Sequence, residues 1–119
     1  MHETGEPISS KHFAPDHPTF ATSYHNLAGI QKDQGDLPGA RASMERAIAI
    51  ESKHFARDHP TFATRYNNHA HIVVAQGHIP EAVTLWRRAY PIRLKALGPD
   101  HPYTKGDAAA LRHYDPPGP

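Results

Sequence analysis

The sequence predicts an all-α fold, an α–α superhelix made of about two and a half antiparallel helix pairs. The main observation is a repeat: residues 16–22 and 58–64 are identical, and residues 100–102 open a degenerate third copy. The copies are evenly spaced (58 − 16 = 42 and 100 − 58 = 42), and a fixed period of roughly 20–50 residues is typical of a solenoid. In the first two copies, two apolar segments with helical spacing flank a glycine, which indicates a helical hairpin.

Composition limits the functions that this chain can have. It has 119 residues, enough for one small domain, and a formal net charge of +1 with both signs interleaved. That balance lacks the basic stripe of a nucleic-acid surface, and the absence of cysteine excludes disulfide and thiol chemistry. The N-terminus is polar, and no apolar run approaches the roughly 20 residues of a membrane helix. We therefore expect a soluble, cytoplasmic protein with no membrane or nucleic-acid partner.

The chain begins with two short segments that precede the first complete repeat. Residues 1–7 combine Gly and Pro with charged side chains, so we expect disorder. Residues 8–14 resemble residues 50–56. This similarity predicts that residues 8–15 are the tail of a preceding repeat or an N-terminal cap.

The first repeat is predicted over residues 16–57. Pro18 suits a first helical turn, so helix one should run from there to about Gln34, and Gly35 should stop it. Asp36 can cap helix two, which we expect to extend to about Phe55.

The second repeat, residues 58–99, follows the same plan with one conflict. Gly77 should end helix three and Gly98 helix four. Pro91 lies inside helix four, where it removes one backbone bond and clashes with the carbonyl of Arg87, so we predict a kink. Residues 100–114 are predicted as a half repeat or capping helix, and residues 115–119 as a loose Pro-rich tail.

Several independent positions of the two copies resemble the tetratricopeptide repeat. Small residues stand where paired helices should cross, Gly35 and Gly77 hold the turn, and Met44 and Trp86 take the large apolar site of each second helix. The 42-residue period is similar to the longer repeats of kinesin light chains and bacterial tandem arrays. The small residues are Ala28, Ala40, Ala47, Ala70, Ala82 and Ala89. Departures are His69 for a leucine, Gln31 for an aromatic residue, and Pro91.

The resemblance implies a non-enzymatic scaffold that holds a peptide segment of a partner protein in a concave groove lined by the first helix of each repeat. Asn26 and Asn68 fall where this family places an asparagine ladder toward the peptide backbone, and an amide can both donate and accept. The alternative is that these asparagines bond neighbouring helices. The residues expected to face the groove are Thr22, His25, Asn26, Gly29, Lys32, Asp33, Thr64, Asn67, Asn68, His71, Val74 and Ala75.

Two further functions compete with peptide binding. Near-identical copies and an open last helix favour a self-assembly module, a homodimer or an exchange of repeats between chains, with the groove filled by its own chain. A small metal-binding protein is the other alternative. His17, His59 and His101 lie one repeat apart, too far to share a zinc ion, so we expect them to cap turns. We expect no metal, no cofactor and no catalytic residue.

Two other histidine pairs bear on metal binding and on the charge of the groove. His69 and His71 are two residues apart, so they should face different directions on a helix. His25 and His71 could both face the groove and make it more positive at mildly acid pH.

Overall fold

The computed structural model describes residues 17–115, which form five consecutive α-helices. They are α1 (Pro18–Asp33), α2 (Leu37–Glu51), α3 (Pro60–Ala75), α4 (Ile79–Leu97) and α5 (Pro102–Tyr114). The prediction of an all-α superhelix of about two and a half helix pairs is confirmed. The predictions for residues 1–7 and 8–15 and for most of the C-terminal tail fall on residues 1–16 and 116–119, outside the described part. None of the five helices combines the length and apolar character needed to cross a membrane.

The histidine of each Asp-His-Pro sequence is the N-cap of a helix. Its Nδ1 accepts a hydrogen bond from the backbone N–H two residues later: His17 from Thr19 at 3.1 Å, His59 from Thr61 at 3.1 Å, and His101 from Tyr103 at 3.0 Å. A side-chain acceptor at this position satisfies one of the unpaired amides of the first helical turn. The expected turn-capping role of these three histidines is thus confirmed.

The tight turn inside each hairpin depends on a glycine. Gly35 and Gly77 have φ angles of 84° and 85°, in the left-handed region that only glycine enters at no steric cost. After the first turn, Asp36 caps α2, and its Oδ1 accepts from the amide of Gly39 at 3.0 Å. His78 precedes α4 without a side-chain cap bond.

Two details differ from the predicted helix limits. Helix α2 ends at Glu51, earlier than the predicted Phe55, and the chain turns through residues 52–54. The side chain of Phe55 then packs against the cluster containing Phe62 and stacks on His59 at 4.5 Å, so tertiary contacts end the helix early. Helix α4 continues through Pro91 to Leu97 without interruption, so the proline does not break it, and the predicted kink stays a prediction.

Alanines at the helix crossings form the core. The six alanines expected there are all 0% exposed, which lets paired helices approach closely. Met44 and Trp86, each 1% exposed, fill the equivalent position of the two hairpins. Trp86 packs with Ala70, Val73 and Leu85, and stacks on Tyr114 of α5 at 5.4 Å. The second repeat is therefore tightly packed despite His69 and Pro91.

Ion pairs join one repeat to the next, and their polarity inverts along the chain. Glu51 of α2 accepts two bonds from Arg65 of α3, at 2.9 and 3.0 Å. One period later, Arg93 of α4 donates to Asp107 of α5 at 2.9 Å. At the first junction the acid, Glu51, lies on the second helix of its repeat. At the second junction the acid, Asp107, lies on the first helix of the repeat that follows. Both pairs are largely buried.

Candidate functional site

A cleft of about 450 Å³ opens between α1 and α3. Both polar and apolar side chains form its walls, and its floor is formed by the buried side chains of Ala28, Met44 and Ile72. The repeat plan explains this arrangement, because α1 and α3 are the first helices of consecutive hairpins and lie side by side. The lining residues are His25, Asn26, Ala28, Gly29, Ile30, Lys32, Asp33, Met44, Asn68, His71 and Ile72.

Seven of the twelve residues predicted to face a groove line this cleft. Five come from α1 (His25, Asn26, Gly29, Lys32 and Asp33) and two from α3 (Asn68 and His71). The other five do not line it: Thr22, Thr64, Asn67, Val74 and Ala75. Thr22, Thr64 and Ala75 are exposed elsewhere on the helices. Val74 packs against the Trp86 cluster.

Asn67 has a structural contact that the spacing of residues does not predict. Its Oδ1 accepts a hydrogen bond from the indole Nε1 of Trp86 at 2.9 Å, inside the second hairpin. A buried tryptophan N–H needs an acceptor, so the placement of Trp86 in the core was a signal that a nearby amide would be occupied.

Asn68 bridges the two repeats across the cleft. Its Nδ2 donates to Nε2 of His25 at 2.6 Å, so that ring nitrogen is unprotonated. Burial lowers the pKa of His25, Arg65 lowers it further, and only Glu51 opposes them. A neutral ring that accepts this bond is consistent with that shift. The bond is of the kind expected if the asparagines join neighbouring helices. Among the described residues, however, nothing bonds the second N–H or the carbonyl oxygen of Asn68.

Asn26 differs from Asn68 in its surroundings. Its side chain is exposed and makes no hydrogen bond with any residue in the described range 17–115. The two asparagines are therefore not equivalent: one amide is entirely available at the cleft wall, and the other is half committed to His25.

His71 contacts the ring of Trp86 in a T-shaped arrangement, at a centroid distance of 5.3 Å. Burial lowers the pKa of His71, and the charge of Lys32 lowers it further. In both cleft histidines the pKa is therefore lowered, which disfavours the protonated ring. The cleft is also lined by Lys32 and Asp33, one basic and one acidic side chain.

Comparison with known proteins identifies the repeat. A sequence model of the tetratricopeptide repeat matches residues 20–61 and 62–103, two consecutive units. The chain belongs to the tetratricopeptide repeat family. Tetratricopeptide repeats are in general non-enzymatic scaffolds for protein–protein interaction, and membership supports that general role here. No curated protein matches the sequence.

Solved structures of tetratricopeptide repeat proteins have the same fold. Two are crystal structures of a kinesin-light-chain-like protein from Podosopora anserina, described as having nearly identical TPR-like repeats. The first aligns with a TM-score of 0.80 and 27% identity over 90% of this chain, and the second with 0.78 and 26% over 92%. This chain spans 50% and 54% of their lengths.

The floor of the tetratricopeptide-repeat cleft is formed by apolar residues that the sequence predicts only as core residues. Ala28, Met44 and Ile72 pack the helices and also close the bottom of the cleft. Ile30, on the rim, is 55% exposed. Helical spacing could not have separated these roles, because a residue at the edge of the buried stripe can face the neighbouring helix and the cleft together.

Proposed function

We propose that the cleft between α1 and α3 binds an extended peptide segment of a partner protein. The observation that carries this proposal is that Asn26 and Asn68 line the same cleft above an apolar floor. The exposed amide of Asn26 makes no hydrogen bond within residues 17–115, and that of Asn68 makes one, to His25. Binding sites for peptides combine apolar surface with a few polar groups that set orientation.

Each asparagine has a distinct task in this proposal. Asn26 offers both an N–H and a carbonyl oxygen to one peptide unit of the ligand. Asn68 offers its second N–H and its oxygen, while the bond to His25 holds the side chain in place. A side chain of the ligand then packs on Ile30, which is exposed at the rim of the cleft. The bond between Asn68 and His25 therefore positions the amide before the ligand arrives, which lowers the ordering cost of binding.

Gly29 allows a direct test of the cleft. A Cβ atom added at Gly29 meets no atom within 4 Å, and the same is true of Gly106 on α5. A leucine at either position is therefore compatible with its helix, but only Gly29→Leu projects into the cleft. The probe is a peptide selected from a random displayed library against the wild-type protein, labelled for fluorescence anisotropy.

We expect Gly29→Leu to weaken the selected peptide by about 100-fold, because the leucine occupies the ligand's volume. Gly106→Leu should leave the dissociation constant within about twofold. Equal affinity for both variants would mean that the peptide binds elsewhere.

The double substitution Asn26→Ala plus Asn68→Ala tests the polar contacts. Losing two hydrogen-bonded amides should weaken peptide binding by about 10- to 100-fold, with an unchanged circular dichroism spectrum and unchanged molar mass. Unaltered affinity in this double variant would contradict the role of the asparagines.

Self-assembly is the second candidate function. It is favoured by large apolar side chains left exposed toward the end of the array: Leu97 is 43% exposed and Tyr103 is 60% exposed. Light scattering separates the two candidates. A monomer mass maintained at high concentration would remove self-assembly and leave peptide binding unaffected.

A further inference from the structure

A second cleft, of about 440 Å³, is bounded by α2, α3 and α4, and it contains a cluster that peptide binding does not use. His69 of α3 lies at its base, with Glu45 of α2 and Glu81 of α4 on two sides. One ligand atom from each of these residues lies within 4.8 Å of the other two. The three residues come from three helices and join the first repeat to the second.

His69 is the member that needs an explanation. It is 5% exposed, and both of its ring nitrogens are buried without a hydrogen-bond partner in the described part of the chain. Its Nε2 is 3.9 Å from Oε2 of Glu45, too far for a hydrogen bond. Burying an unpaired polar group is costly. The equivalent residues one period before and one period after are Leu27 and Leu111. A leucine would therefore satisfy the packing at this position, and packing does not explain the histidine.

The donors match the preferences of a divalent transition metal. Zinc binds histidine nitrogen and glutamate oxygen at about 2.0–2.2 Å, and three protein ligands plus one water form a common open site. Tetrahedral geometry places such donors about 3.3–3.5 Å apart, so each would move by roughly 1 Å. The two glutamate side chains can supply this movement, because they are 51% and 35% exposed.

Arg41 occupies the position of the cation in the present arrangement. Its Nη2 donates to Glu81 at 2.6 Å and its Nε to Glu45 at 3.3 Å. A metal ion would have to replace this guanidinium between the carboxylates. Nδ1 of His78 is 3.8 Å from Oε1 of Glu81 and 3.3 Å from Nη1 of Arg41.

We propose that Glu45, His69 and Glu81 form a site for a divalent transition metal such as zinc, which displaces Arg41 and clamps the first repeat to the second. The metal supplies the electron-pair acceptor that the ring nitrogen of His69 lacks. Because its ligands come from α2, α3 and α4, binding should stabilise the junction between the repeats.

The first test is titration of the tag-free, chelator-treated full chain with zinc chloride, followed by isothermal calorimetry. The chain has 11 histidines, so matched variants must separate this site from adventitious binding. We expect one tight equivalent of zinc in the wild type. His69→Leu, which copies Leu27 and Leu111, should weaken that binding by at least about 100-fold. The exposed His113 provides the control: His113→Ala should bind zinc as the wild type does.

Arg41→Ala gives a result that a chance surface site would not. Removing the competing cation should tighten zinc binding by about tenfold or more, because two carboxylates lose their positive partner. Weaker or unchanged zinc affinity in Arg41→Ala would overturn the proposal, as would tight binding retained in His69→Leu.

If His69→Leu fails to fold, nitrogen NMR of the wild-type protein tests the site without a variant. Zinc should shift one ring nitrogen of His69 at one equivalent, before the other histidines respond. No change at His69 under saturating zinc would contradict the site.

Discussion

Asp107 shows how one buried residue makes stability depend on pH. It is 0% exposed, bonds Arg93 through one oxygen, and its other oxygen is buried without a partner in the described residues. Burial raises the pKa of Asp107 to about 6, although Arg93 pulls it down. The folded state therefore holds this proton more tightly than the unfolded chain, whose aspartate has a pKa near 3.8.

The sign of the effect follows from this difference. Asp107 should favour folding most below about pH 4, and that contribution should be lost as pH rises through about 6. The change amounts to about 3 kcal/mol at most. Urea unfolding at pH 4 to 8 should show Asp107→Asn gaining stability relative to the wild type as pH rises. A difference between the two proteins that stays constant with pH would refute this.

The contribution of a histidine cap to the free energy of unfolding can be measured at His59. His59→Ala removes both the bond from the Thr61 amide and the stacking on Phe55, whereas His59→Asp keeps a capping acceptor. The alanine variant should be less stable than the aspartate variant by about 1 kcal/mol, measured by urea unfolding at neutral pH. Equal stabilities would mean that the cap bond contributes nothing.

At the scale of a helix, Pro91 costs α4 a hydrogen bond. It is exposed and lies within an uninterrupted helix, so the carbonyl of Arg87 has no N–H four residues later. Pro91→Ala restores that donor and should stabilise the protein by about 1–3 kcal/mol. Chemical unfolding measures this gain. A loss of stability would instead indicate that a bend at Pro91 is required for packing.

The junction between α2 and α3 depends on the charges of Glu51 and Arg65. Glu51→Arg would bury two positive charges together and should cost about 3–5 kcal/mol. The exchanged pair, Glu51→Arg with Arg65→Glu, reproduces the polarity of Arg93 and Asp107 and should recover most of that loss. A double-mutant cycle measures the coupling. If the double variant is as unstable as the single one, the pair does not act through charge.

At the scale of the whole molecule, the inverted pairs distinguish two otherwise similar junctions. If α2 met α5, Glu51 would face Asp107, and if α4 met α3, Arg93 would face Arg65. Like charges buried together disfavour both arrangements. The alternating polarity therefore opposes the exchange of repeats that near-identical copies would otherwise permit.

We therefore expect that giving both junctions the same charge order promotes exchange of repeats between chains. Exchanging Arg65 and Glu51, so that both junctions have a base on the second helix of the repeat, should raise the fraction of dimer seen by size-exclusion chromatography with light scattering. The control replaces both Glu51 and Arg65 with Gln. This variant removes the charges of the first junction but does not give it the charge order of the second junction. A monomer fraction equal in all three proteins would show that polarity does not select the partner helix.

The sequence alone was enough to predict most of the architecture. The prolines after the capping histidines and the two turn glycines act within a few residues, and the 42-residue period repeats them along the chain. Helix order and the helix boundaries that these residues set can therefore be predicted from the sequence. Prediction from the sequence fails where side chains that are distant in the sequence meet. The end of α2 at Glu51 depends on the packing of Phe55, and no local pattern signals that contact.

The sequence by itself determined the helical repeat and the capped turns. Only the tertiary structure decided how the polar side chains are used. Asn67 bonds Trp86, 19 residues away, and Asn68 bonds His25, 43 residues away, while His69 meets acids from two other helices. The physical reason is that spacing specifies which side of a helix a residue faces, but the neighbouring helix supplies its partner.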